Sequence, residues 1–117
     1  MARTKSSKQW LQRHVKDPYV RKARAEGYRS RAAYKLIEVN TRDRFLVPGA
    51  KVVDLGGAPG GWSQVAAQKV APGGKVIAVD LLEIAPMSGV TVLRGDCRAP
   101  VIQAQLVAAL GDRKSVV

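Results

Sequence analysis

The sequence holds one cysteine, Cys97, and one histidine, His14. A single thiol excludes an internal disulfide and any metal cage built from cysteines, and it fits a reducing cytoplasm. No base partner is visible beside Cys97, so it reads as structural; His14 reads as a surface helix residue rather than a catalyst. Acid is scarce, with 9 Asp+Glu against 20 Lys+Arg and a net charge of +11. Long apolar runs are missing as well. No stretch approaches the roughly 20 apolar residues of a membrane span, and the basic N-terminus lacks the apolar segment of a signal peptide.

The base that is present is unevenly placed. Residues 1–44 carry thirteen Lys and Arg against four acids, whereas residues 45–117 are close to neutral. A basic head on a near-neutral body calls for a polyanionic partner, nucleic acid first and an anionic membrane surface second. Tyr19, Tyr28 and Tyr34 punctuate that head. Such rings either stack on RNA bases or pack the helices together.

Local signals then divide the chain. Trp10, Leu11, His14 and Val15 recur at helical spacing. "DPYVRKARAEG" reads as a helix with Asp17 as N-cap, Pro18 in its first turn and Gly27 as its stop. "SRAAYKLIEVNTRD" reads as another, capped by Ser30, with Ala33, Leu36, Ile37 and Asn40 on one side and Arg31, Lys35, Glu38 and Arg42 on another. Beyond "VPG", strands are read at "AKVVDL", "KVIAVDL" and "VTVLRGD", and helices at "GWSQVAAQKVA" and "APVIQAQLVAALGD". "KSVV" reads as the start of a fourth strand. This β-α-β-(loop)-β-α-β order predicts an α/β fold with a parallel sheet and right-handed crossovers, Rossmann-like in kind. The division is a basic helical extension at 1–44 and the α/β part at 45–117.

The most informative stretch is "VVDLGGAPGGWSQ", residues 52–64. A strand runs into four glycines and a proline before a helix starts. In doubly wound folds that turn faces the ligand. Glycines there admit unusual backbone angles and keep side chains away from the ligand, and the following helix offers free N–H groups. Three successive strands end in or near an acid on this side: Asp54, Asp80 and Asp96. Asp80 lies 24 residues beyond Gly56, close to the spacing at which an acid takes a ribose hydroxyl. The glycines do not fit the dinucleotide pattern G-x-G-x-x-G, because Ala58 stands at the second glycine position. Three acids are also poor company for a pyrophosphate, which disfavours an NAD-dependent oxidoreductase. They suit S-adenosylmethionine, with its sulfonium, ammonium, ribose diol and adenine amino group. Asp54 is placed near the methionine end, Asp80 at the ribose and Asp96 near the adenine, with the "LLEIAPM" loop as a mobile cover.

"DLGGAPGGWSQ", together with "RSRAAYKL", "VIAVDLL" and "GDCR", resembles the FtsJ/RrmJ family of ribosomal RNA 2′-O-ribose methyltransferases, over nearly the whole chain. The resemblance implies methyl-donor contacts at Gly60, Trp62, Asp80 and Asp96, beside Asp54 and Gly56 read from the turn. It implies S-adenosylmethionine as cofactor, large-subunit ribosomal RNA as substrate, a cytoplasmic and monomeric full-length enzyme, and no metal. It makes Lys35 the first of a Lys-Asp-Lys-Glu catalytic tetrad. The other three members belong to the second half of the family's fold, and its "D-M-A-P" motif does not occur here. The chain is therefore read as the N-terminal part of that fold, inactive alone and prone to self-association. The rival readings are a non-catalytic RNA-binding module and a hemolysin-like ribosomal RNA methyltransferase.

Overall fold

The structure is a computed structural model and describes residues 9, 11–13 and 16–111. Trp10, His14 and Val15, on which the first expected helix rests, and residues 114–117, where a fourth strand was read, lie outside the described residues.

Helix α1 (Pro18–Glu26) starts and stops on the signals its sequence carries. The Asp17 carboxylate accepts from the Tyr19 N–H at 2.8 Å. Gly27, at φ 83°, turns its N–H back onto the Ala23 and Arg24 carbonyls. Helix α2 (Ala32–Asp43) departs from expectation at its start. Arg31, not Ser30, occupies the cap position, and no side chain caps the helix. Ser30 instead gives its carbonyl to the Ala33 N–H, while its side chain is packed so closely on Gly61 that no Cβ fits there. The Ser30 hydroxyl thus lies against Gly61 and not at the helix end. Ala33, Leu36 and Asn40 face inward, and the buried Asn40 amide oxygen accepts from the Leu46 N–H at 2.8 Å, fixing the chain as it leaves the helix.

Three parallel strands follow, β1 (Lys51–Leu55), β2 (Lys75–Asp80) and β3 (Val90–Arg94), in the order β1-β2-β3. Helix α3 (Gly61–Val70) makes the first crossover, and α4 (Pro100–Leu110) follows β3. β2 is central, and Val76, Ile77, Ala78 and Val79 are all buried, as a strand covered on both faces requires.

Strand alternation sorts the core into two clusters. On one face Val52 and Val76 pack with Val65, Ala66 and Val70 of α3 and with Ala33 and Leu36 of α2. On the other, Ile77 and Val79 pack with Ile102 and Leu110 of α4, and the half-buried free thiol of Cys97 joins them. α4 has no basic residue in its last turn. The partner strands supply the charge: Lys51 and Lys75, paired in register, donate to the Leu110 and Ala109 carbonyls at 2.8 and 3.4 Å. Cations at a helix C-terminus complement its dipole.

Candidate functional site

The glycine turn is held by the backbone of its neighbouring strand. Gly56, at φ 71°, donates its N–H to the Val79 carbonyl at 2.8 Å. A Cβ on Gly57 would stand 3.0 Å from the Asp54 carboxylate. Gly60 has φ 115°, a conformation side chains rarely adopt, and a Cβ there would collide with the end of Met87 and press on Arg29. No side chain caps α3, so the N–H groups of its first turn have no intrahelical partner.

The three acids are used differently. Asp54 lies within β1, one residue before its end, and accepts from the Ser63 hydroxyl at 2.7 Å. Asp80 ends β2 and braces the turn. One oxygen accepts from the Leu82 N–H at 3.0 Å, the other from the Ala58 N–H at 2.9 Å. These bonds, Leu82 first, hold its carboxyl below the usual aspartate range. β3 ends at Arg94, so Asp96 falls two residues beyond the strand rather than at its end. Its carboxylate takes the Arg98 guanidinium at 2.9 Å and the Arg98 N–H at 2.9 Å, and the side-chain bond to Arg98 is the main cause of its lowered pKa.

A cavity of about 260 Å³ opens over the turn. Ser30 and Ala32 form one wall, and Asp54, Gly56, Gly57 and Trp62 are among the residues of the other. Of the residues singled out from sequence, Asp54, Gly56 and Trp62 therefore meet at this cavity. Gly60 sits between its lining residues Pro59 and Gly61, and Asp80 reaches it through Ala58. Asp96 does not line it. Lys35 is exposed and lies one turn beyond Ala32 on α2, so it stands near the rim rather than inside. Trp62 lines the cavity from the first turn of α3. Half exposed, its indole N–H donates to the Ala32 carbonyl at 2.7 Å and ties the two walls together.

Arg29 is the residue that sequence reasoning missed. Its guanidinium donates to the Pro59 carbonyl at 3.1 Å, to Ala85 at 2.6 Å and to Pro86 at 2.9 Å, and its backbone N–H meets the Gln64 side chain at 2.7 Å. One side chain thus joins the α1–α2 link, the glycine turn and the β2–β3 loop. In the loop expected to act as a mobile cover, Arg29 holds the Ala85 and Pro86 carbonyls, Ile84 is buried and Met87 lies against Gly60. The only sequence signal was placement: Arg29 follows a helix-stopping glycine, off any helix face.

A strand, a glycine turn braced by the next strand's acid, and a helix with an open N-terminus form the unit at which doubly wound α/β folds hold their ligands. Residues 28–117 match the family described as FtsJ-like methyltransferase. The chain belongs to the FtsJ-like methyltransferase family. Its fold is the Rossmann-like methyltransferase fold, represented by three parallel strands and their helices. Among curated relatives, ribosomal RNA large subunit methyltransferase E of Nitrosospira multiformis is 56% identical over 112 residues, which are 96% of this chain and 54% of that protein. The protein of the same name from Marinobacter nauticus is 52% identical over 118 residues, 100% of this chain and 57% of that one. A crystal structure from Plasmodium falciparum, described as a ribosomal RNA methyltransferase, superposes with a TM-score of 0.67 at 31% identity, over 76% of this chain and 54% of that chain. This FtsJ-like chain spans about half the length of the curated relatives it matches.

Proposed function

We propose that this chain is the methyl-donor half of an S-adenosylmethionine-dependent methyltransferase acting on a ribose 2′-hydroxyl of large-subunit ribosomal RNA. The observation that carries the reading is the cavity over the glycine turn, one wall of which comes from the basic extension. When bound, S-adenosylmethionine supplies a methyl group on a sulfonium, open to attack by a hydroxyl. The residues present suit it: a turn that side chains on Gly57 and Gly60 would crowd, with the Asp54 and Asp80 carboxylates beside it and the Arg29 guanidinium already taken by backbone carbonyls.

Asp80 takes the ribose diol with the lone pairs left after its two backbone bonds. The exposed Leu81 and Leu82 beyond it offer apolar surface to the adenine. Asp54 and the first N–H groups of α3 serve the ammonium and carboxylate of the methionine end. Asp96 reaches the adenine amino group while keeping Arg98. Gly56, Gly60 and Trp62 shape the wall. Lys35 orients the attacking hydroxyl and balances the charge of the other tetrad members, while the proton passes to a base in the other half of the fold.

Calorimetric titration of this chain separates the reading from its rivals. S-adenosylmethionine is expected to bind and NAD is not; the reverse would assign the turn to a dinucleotide. Asp80→Ala should weaken donor binding about ten- to a hundredfold, the scale of a hydrogen bond to a charged group. Unchanged affinity in a folded Asp80→Ala variant would move the ribose elsewhere. The chain alone is expected to transfer no methyl group to ribosomal particles.

A further inference from the structure

The α1–α2 pair carries an arrangement that the donor site does not use. Tyr19 is 53% exposed, so it adds little to the packing that Val20 and Ala23 already make. The Arg31 guanidinium lies over its ring, 5.0 Å from the centroid, and is ion-paired with Asp17. Tyr34 is tilted against Tyr19 at 6.2 Å, and Tyr28 meets Tyr34 edge-on at 5.5 Å. The Lys22 ammonium stands 4.8 Å over the Tyr34 ring. Tyr34 donates to Glu26 at 2.6 Å; burial first and this bond second push its pKa up to about 12.

Beside the ladder lies a second cavity of about 360 Å³, lined by Arg24, Tyr28, Arg31 and Pro59 among others. Ser30 and Pro59 line both cavities, so they are two sides of one wall. Arg29 also borders the second cavity, but its guanidinium is taken by three carbonyls. Lys22 and Arg24 have no ion pair among the described residues, while Arg31 shares its guanidinium with Asp17.

We propose that Tyr19 and Arg31 form a stacking platform for an unpaired RNA base adjoining the target nucleotide, with Lys22 and Arg24 against the neighbouring phosphates. The proposal rests on RNA being the substrate. A phosphate-binding patch alone needs no exposed ring. A ring backed by a guanidinium presents a flat surface to a base, and base–aromatic stacking tolerates any sequence. The ligand is single-stranded, because a duplex hides its base faces. The shared wall then sets the distance: one nucleotide stacks on the extension while its neighbour's ribose enters the cavity over the glycine turn.

The test measures binding of this chain to a single-stranded oligoribonucleotide, to a duplex of the same sequence and to inorganic polyphosphate, across a salt series. Tyr19→Leu should lower affinity for the single strand about fivefold or more. It should leave polyphosphate binding and the slope of log K against log salt unchanged, because no charge is removed. Tyr19→Trp should retain single-strand affinity, and the paired substitution Lys22→Ala with Arg24→Ala should flatten the salt slope. An unchanged affinity in Tyr19→Leu, an equal loss toward polyphosphate, or a preference for the duplex overturns the platform alone. A wild-type chain that binds no RNA overturns both the platform and the RNA substrate.

Discussion

On one face of the sheet, Val65 and Ala66 of α3 are 0% and 2% exposed, sealed between the strands and the α2 helix of the basic extension. On the other, α4 leaves Val101 63% and Val107 46% exposed, and buries only Ile102 and Leu110. Both helices follow a parallel strand, and α4, with only Gln103 and Gln105 polar, is the more apolar of the two, whereas α3 carries Ser63, Gln64, Gln68 and Lys69, so composition alone predicts the opposite difference. What differs is a second cover. α2 is laid across α3, whereas no described helix is laid across α4. A helix that is apolar on every side belongs inside a core, and β1, with Leu55 58% exposed, is an edge of the sheet on which nothing pairs among the described residues. The candidate site uses the rim of the closed face. Its two walls, α2 and the glycine turn, are the elements that this face locks together.

The largest effect should come from charging the closed face. Val65→Asp places an unpaired carboxylate among fully buried neighbours and is expected to cost more than about 4 kcal/mol, leaving no cooperative transition in denaturant. Val101→Asp on the open face should stay within about 0.5 kcal/mol. Equal losses at the two sites would erase the distinction between the faces. Next comes the rim. Gly60→Ala imposes a side chain at φ 115° against Met87, and should cost about 1–3 kcal/mol. Adding Met87→Ala should recover the part due to collision but not the backbone part. Full recovery in the double variant would mean that the backbone angle carries no strain. The smallest effect on stability, within about 0.5 kcal/mol, is expected for Leu55→Lys at the exposed edge. Its effect should appear in sedimentation velocity instead, as loss of the self-association that an unpaired apolar edge promotes. A wild-type chain that sediments as a monomer would show that the open edge does not pair.

Much of this architecture is legible from local signals. Asp17, Pro18 and Gly27 bound α1 because caps act on their own helix within a few residues. The strand–glycine–helix unit is equally local, as is the spacing from Gly56 to Asp80. What escaped the sequence was long-range. Ser30 looked like a cap because nothing in the sequence says that Gly61 lies against it. Arg29 looked like one more charge in a basic run, yet its partners are 30 to 57 residues away. The lysines that finish α4 belong to strands 59 and 34 residues earlier. Asp96 was read at a strand end, but β3 stops short of it and its carboxylate turns to Arg98, two residues on. Periodicity reports which way a residue faces, not which distant group satisfies it.

The bond from the Trp62 indole to the Ala32 carbonyl gives the molecule an optical gauge. The indole is half solvated and half seated against α2, and its N–H has one protein acceptor. If the extension lifts from the body, that carbonyl is replaced by water and the ring loses its apolar neighbour, a change that shifts indole emission to the red. With only one other tryptophan in the chain, Trp10, replacing that residue would leave a single chromophore at the joint. The seating of the extension on the body then becomes a quantity read continuously from light, with no label attached.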